Sequence, residues 1–142
     1  MAWIKLTKSI VVEASHKLEA HTGKCHRLHG HSWKIEVTIL SPVNPTTHMG
    51  VDYYHLSKFL HDVVDGTLDH QHLNTVLATE NPTSEYLAHW VFAQAVKWVR
   101  QHNYTERNGL NDAVVHEVVV WETKNSRCSL TGEQWLADPL VA

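Results

Sequence analysis

Cysteine is nearly absent from this 142-residue chain, which has only Cys25 and Cys128. Two thiols cannot staple a small secreted domain, and their isolation suits a reducing, cytoplasmic setting. Long apolar runs are missing too. Stretches such as Val118-Val119-Val120-Trp121 fall far short of the roughly 20 residues a membrane helix needs. Met1 to Leu6 reads as strand and lacks the apolar segment of a signal peptide, so neither leader nor membrane span is expected. Basic clusters are also lacking. Twelve Lys and Arg face 15 Asp and Glu, and the net charge of −3 argues against nucleic acid as the main partner. Without repeats, low-complexity tracts or a Gly/Ser linker, one continuous domain over residues 1–142 is expected.

What is abundant is histidine. The 13 histidines outnumber the 12 Lys and Arg, and ten of them lie between His16 and His72. Imidazole is the commonest metal ligand and the usual acid–base group near neutral pH. His48, His55, His61, His89 and His102 read as surface polar residues. The hydrophobic fraction, 43%, is ample for a packed core.

Residues 3–14 are rich in Ile, Val and Thr and read as a strand. From Ser32 to Leu40 the alternation is clean: Trp33, Ile35, Val37 and Ile39 share one face. Pro42 to Gly50 form a loop. Asp52 is a candidate N-cap for a helix to about Val64, ended by Gly66, with Leu56, Phe59, Leu60, Val63 and Val64 on its buried face. Residues 67–80 read as irregular. A second helix is expected near Pro82, capped by Asn81 or Thr83, with Leu87, Trp90, Val91, Gln94, Ala95 and Trp98 inward. After a polar loop over 101–112, Val114–Thr123 and Arg127–Leu130 read as a hairpin. The order ββααββ implies an α+β fold: a four-stranded antiparallel sheet with two helices on one face. Two helices leave the other face bare, most simply covered by further subunits.

His29-Gly30-His31 is the sharpest chemical signal. In a strand, residues two apart project from one face, so both imidazoles can reach one ion. His16, just after the first strand, can join them if the first two strands pair. Three histidines with a vacant fourth position describe a catalytic zinc site; Cys25 as a fourth ligand would make it a closed structural one. A cysteine beside a dication would favour the thiolate and could act as a general base, or it could be inert and buried. Asp69 and His70 are expected to contact separate partners, Cys25 among them, although Asp69 and Asn74 could simply stabilise a turn. Glu122 ends an apolar strand, where a carboxylate needs a partner unless it faces solvent. Paired N–H donors, such as those of a pterin or guanine-like ring, would suit it.

Together these motifs resemble a known family. Glu13-Ala14-Ser15-His16, Cys25-x3-His29-Gly30-His31, Val51-Asp52, Leu68-Asp69-His70-x2-Leu73-Asn74, Asn81-Pro82-Thr83-Ser84-Glu85 and Glu122-Thr123 occur in the order seen in 6-pyruvoyltetrahydropterin and 6-carboxytetrahydropterin synthases. The resemblance implies a T-fold (tunnelling fold) whose sheets close into a barrel in homotrimers or homohexamers, with active sites between subunits. It implies zinc on His16, His29 and His31, Cys25 as base, Asp69 and His70 as its relay, and Glu122 as pterin anchor aided by Thr83 and Ser84. Lys24 or Arg27 would be candidates to meet the triphosphate.

The three residues between Cys25 and His29 are similar to the bacterial 6-carboxytetrahydropterin type. That type converts 7,8-dihydroneopterin triphosphate to 6-carboxytetrahydropterin, acetaldehyde and triphosphate, on the way to 7-deazaguanines such as queuosine. The alternatives are the pyruvoyl-forming reaction and a non-catalytic zinc-binding module. Val12, where an aromatic residue is common, and His26, where a small or basic residue is usual, depart from the pattern without removing a catalytic group.

Overall fold

A computed structural model of the chain describes residues 2–101 and 113–140. The loop expected over 101–112 and His102 lie outside the described residues, except that Gln101 ends a helix. Two long strands, β1 (Trp3–His16) and β2 (His29–Pro42), pair antiparallel from Trp3↔Pro42 to His16↔His29. Helix α1 (Tyr53–Phe59) is capped by Asp52, whose side chain accepts a hydrogen bond from the Tyr54 N–H at 2.8 Å. It continues through a π-helical stretch, Leu60–Asp65, and a last turn, Gly66–Leu68. Gly66 therefore does not end the helix. It keeps helical dihedrals, and the fully buried Leu68 anchors the extra turn.

The segment expected to be irregular contains a short strand, β3 (Gln71–His72), and one helical turn, α2 (Leu73–Val76). Because β3 runs parallel to β1, pairing Ala14↔Gln71 and Ser15↔His72, the sheet has five strands and is mixed. The expected four-stranded antiparallel sheet is corrected accordingly. Two residues are too few to show an alternating pattern, and this strand is defined by its neighbour.

Helix α3 (Ser84–Gln101) starts after Thr83, whose Oγ1 accepts from the Tyr86 N–H at 3.1 Å. Thr83 is the cap, and Pro82 stands before it rather than in the first turn. Strands β4 (Val114–Thr123) and β5 (Ser126–Thr131) form the expected hairpin. A final helix that the sequence reading missed, α4 (Gly132–Ala137), opens on a reciprocal capping box between Thr131 and Gln134. Strand order is β3-β1-β2-β4-β5.

Trp33, Ile35, Val37 and Ile39 are fully buried on one face, against Leu56, Phe59, Leu60 and Val64 of the first helical segment and Leu87, Val91 and Ala95 of α3. Each such side chain contributes about 1.5–3 kcal/mol on burial. Trp90 and Gln94, expected inward, are only partly buried, while Phe92 and Ala93 are buried instead. The reason is α4: Trp135 stacks on Phe92 at 5.2 Å and turns that side of α3 into interior. On β1, Lys5, Thr7, Ser9, Val11 and Glu13 stay exposed on the opposite face. His48, His55 and His61 are exposed as expected. His89 is not fully so: it is partly buried, its Nδ1 accepts from the Leu140 N–H at 3.1 Å, and burial lowers its pKa.

Candidate metal centre

The β1–β2 register builds the site. His16 pairs directly with His29, and His31 lies opposite Ala14, so three imidazoles share the core face at the loop end of the hairpin. Below them, Trp33 is fully buried, with its ring 5.0 Å from His16 and 5.1 Å from His31. Its indole N–H donates to the Ala14 carbonyl at 3.2 Å, which fixes the ring as a floor. The apolar alternation of β2 thus runs straight into the histidine cluster.

One ligand atom from each of His16, His29 and His31 lies within 4.8 Å of the others. The outer nitrogens decide what the inner ones can do. His16 Nδ1 is 2.9 Å from the Pro82 carbonyl, and His29 Nδ1 is 2.7 Å from the Arg27 carbonyl. A carbonyl only accepts, so both Nδ1 atoms carry the proton. Each neutral ring then presents a bare lone pair at Nε2. Those two Nε2 atoms face each other at 2.9 Å. Burial lowers the His16 pKa, above the opposing pull of the Pro82 hydrogen bond, and keeps the ring neutral. Two lone pairs at that separation call for a cation between them. Orientation of metal-binding histidines by a hydrogen bond from the other nitrogen is the usual supporting arrangement.

His31 completes the set. Its Nε2 is buried without a hydrogen-bond partner, and burial lowers its pKa more than the nearby Glu122 raises it. An orphaned buried nitrogen beside two facing lone pairs fits a divalent ion with nitrogen preference. Glu122 Oε1 lies 3.9 Å from His31 Nε2. Register is broken between Trp121 and Thr123, leaving Glu122 unpaired in the ladder. Such a bulge re-aims one side chain, here a half-buried carboxylate turned to the histidines rather than simply ending the strand.

Cys25 sits partly buried on a short 3-10 turn, Lys24–His26, and is not among the converging donors. Asp69 and His70 were expected to contact separate partners. Instead they pair with each other, Asp69 Oδ2 to His70 Nδ1 at 2.7 Å. A left-handed backbone at His70, φ 58°, folds its ring back onto its neighbour. Asp69 Oδ1 also accepts from the Glu13 N–H at 2.8 Å, and the His70 N–H donates to the Glu13 carbonyl at 2.6 Å. The Glu13 N–H bond, then His70, hold the Asp69 carboxyl below its ordinary range, and Asp69 raises the His70 pKa. The pair sits at the edge of β1, with the His70 side chain 79% exposed. No hydrogen bond joins it to Cys25.

Thr83 caps α3, and the Ser84 hydroxyl donates to Glu85 Oε1 at 2.5 Å. Beside His70 lies an open cleft of about 570 Å³, bordered by Glu13, Ser15, Ser32, Gln71 and His72. Sequence reasoning quoted Glu13 and Ser15 within a motif but gave none of these polar neighbours a role. Ser32 donates to the Glu13 carboxylate at 2.6 Å, and His72 Nδ1 lies 3.0 Å from Ser15 Oγ. Only the strand register, which pairs Glu13 with Ser32, could have signalled the first contact.

Comparison with known proteins bears on this geometry. The sequence profile of the family described as 6-pyruvoyl tetrahydropterin synthase matches residues 5–133. The chain belongs to that family. A 6-carboxy-5,6,7,8-tetrahydropterin synthase from Synechocystis sp. is 42% identical over 96 residues, covering 65% of this chain and 74% of that protein. Human 6-pyruvoyl tetrahydrobiopterin synthase is 26% identical over 144 residues, covering 91% and 92% respectively. The solved structure of Caenorhabditis elegans 6-pyruvoyl tetrahydropterin synthase superimposes with a TM-score of 0.74 at 23% identity, over 93% of this chain and 97% of that one. The expected T-fold is therefore the fold observed. As a member of the pterin synthase family the chain is an enzyme, of the lyase class. Among the described residues no helix is long and apolar enough to cross a membrane.

Proposed function

We propose that this enzyme converts 7,8-dihydroneopterin triphosphate and one water to 6-carboxy-5,6,7,8-tetrahydropterin, acetaldehyde and triphosphate, with zinc as its resident ion. The observation that carries the reading is the convergence of His16, His29 and His31, two of them with Nε2 lone pairs set by backbone carbonyls. The similarity to a 6-carboxytetrahydropterin synthase and the three-residue spacing from Cys25 to His29 support this choice of product.

His16, His29 and His31 would hold the ion from one face. Bound there, zinc supplies Lewis acidity toward the side-chain oxygens of the substrate. Cys25 removes the proton from the adjacent carbon as a thiolate and returns it later as a thiol. Asp69 keeps the proton on His70 Nδ1, so that Nε2 can exchange protons with Cys25 or substrate. Glu122 accepts two parallel N–H bonds from the 2-amino group and neighbouring ring nitrogen of the pterin. Thr83 and Ser84 support the ring from the start of α3.

Asp69 and His70 lie at the β1 edge and pair with each other within the chain, not with Cys25. We therefore assign them to the Cys25 of a second copy. The active sites then form between subunits of a homotrimer or homohexamer, whose association covers the helix-free face. The whole chain acts as one domain in the cytoplasm, with the pterin triphosphate as its partner rather than nucleic acid or membrane.

The test is product analysis by mass spectrometry after incubation of zinc-loaded enzyme with 7,8-dihydroneopterin triphosphate. Acetaldehyde and the carboxylated pterin are expected in equal amounts. A pyruvoyl product without acetaldehyde would assign the other family reaction. Stoichiometric zinc without turnover would indicate a non-catalytic module.

A further inference from the structure

The loop over residues 17–28 joins β1 to β2 and carries Cys25, yet it contains no regular element beyond one short turn. Its order comes from elsewhere. The Asn74 side chain treats Lys17 as a strand would: Oδ1 accepts from the Lys17 N–H at 3.0 Å, and Nδ2 donates to the Lys17 carbonyl at 2.7 Å. The same Nδ2 reaches the Glu80 carbonyl at 3.4 Å, and the Glu19 N–H donates to that carbonyl at 3.3 Å. Further along, Asn81 Oδ1 accepts from the Ala20 N–H at 2.8 Å. Inside the loop, the Leu18 N–H donates to the carbonyl of Cys25 itself at 3.0 Å. A chain of hydrogen bonds therefore runs from the Asn74 and Asn81 side chains, through the backbone of Lys17 to Ala20, to the backbone of Cys25. The residue after Asn81, Pro82, is the one whose carbonyl orients His16.

We propose that Asn74 and Asn81 are positioning residues that set where the Cys25 thiol stands relative to the three imidazoles. The inference rests on the reading of Cys25 as the base. The two asparagines do different work, and this makes the proposal specific. Asn81 side chain serves the loop as an acceptor only, so a carboxylate can replace it. Asn74 must also donate, and a carboxylate there would set oxygen against the Lys17 carbonyl. Asn81→Asp should thus behave as wild type, while Asn81→Ala, Asn74→Asp and Asn74→Ala release the loop.

Each variant is to be prepared with zinc, its metal content measured, and kcat and KM determined with 7,8-dihydroneopterin triphosphate. In parallel, iodoacetamide labelling of Cys25 is followed by peptide mass spectrometry with Cys128 as internal control, and amide exchange is followed at Leu18 and Ala20. Asn74→Asp is expected to keep stoichiometric zinc and KM within twofold, while kcat falls about 10- to 100-fold, the usual scale for misplacing a reacting group by about 1 Å. Cys25 labelling should rise relative to Cys128, and exchange at the loop amides should quicken. Asn81→Asp should restore what Asn81→Ala loses.

A kcat and Cys25:Cys128 labelling ratio equal to wild type in both Asn74→Asp and Asn81→Ala would overturn the proposal. So would a fall in Asn81→Asp as deep as that in Asn81→Ala. Should Asn74 variants not fold, the Asn81 pair decides the question alone. If wild-type enzyme does not turn over, the role of Cys25 as base fails, and labelling and exchange still decide whether the asparagines hold the loop.

Discussion

The facing lone pairs of His16 and His29 make a prediction that separates a metal site from a cluster of buried polar rings. With both Nδ1 protons given to backbone carbonyls, the 2.9 Å contact between the Nε2 atoms of two neutral rings has no hydrogen to share. Without an ion this contact contributes nothing favourable, and His29→Ala should change stability by no more than about 1 kcal/mol, a packing loss offset by relief of the opposed lone pairs. With zinc bound the balance reverses. Free ion at 100 to 1,000 times its dissociation constant stabilises the folded state by about 2.7–4.1 kcal/mol, and most of that is lost with one of three donors. In a domain of this size, about 3 °C of Tm accompanies each kcal/mol, so the zinc-loaded variant should melt about 8–12 °C below zinc-loaded wild type. Calorimetry of both proteins, each with zinc and with a chelator, supplies the four values. An equal drop with and without zinc, or no response of wild-type Tm to zinc, would refute the reasoning.

Cys25→Ala should retain stoichiometric zinc by elemental analysis while turnover collapses; loss of the metal would instead make Cys25 a ligand. Glu122→Gln should weaken binding of a pterin analogue roughly 10- to 100-fold, as expected for a charge-assisted pair, with zinc content unchanged, read by calorimetric titration. The His70–Asp69 pair titrates at both ends. Its contribution is full where His70 is protonated and Asp69 ionised; it is lost as pH rises through the raised His70 pKa and as pH falls through the lowered Asp69 pKa. By NMR titration, Asp69→Asn should bring the His70 midpoint back towards the ordinary imidazole range. Gel filtration of active enzyme should show a trimer or hexamer, and an active monomer would contradict sites shared between subunits.

The features legible in the sequence are those written in short-range periodicity. Trp33, Ile35, Val37 and Ile39 declare a half-buried strand, and His29-Gly30-His31 continues the same alternation, so the histidine face follows from the core face. Strand β4 and its hairpin to β5 were equally plain. What escaped depends on contacts distant along the chain. The carbonyl that orients His16 belongs to Pro82, 66 residues away, and Asn74 grips Lys17 across 57. Strand β3 exists only as a neighbour of β1. The pairing of Asp69 with His70 needs a left-handed residue, which adjacency alone argues against. Glu122 was expected at the end of a strand, but its aim depends on a break in register that no local pattern reveals. Helix α4 had a local signal, Thr131 with Gln134, in a segment too short to show a face.

All three imidazoles belong to one hairpin, and His16 and His29 flank its connecting loop. An ion bridging them is therefore a cross-link that closes the segment between two sequence neighbours, much as a disulfide would. For a loop of about 15 residues, chain-entropy estimates put such a closure at roughly 3 kcal/mol. Metal supply during synthesis would then govern how soon this ribbon zips shut, and apoprotein should refold more slowly from the point where β1 meets β2.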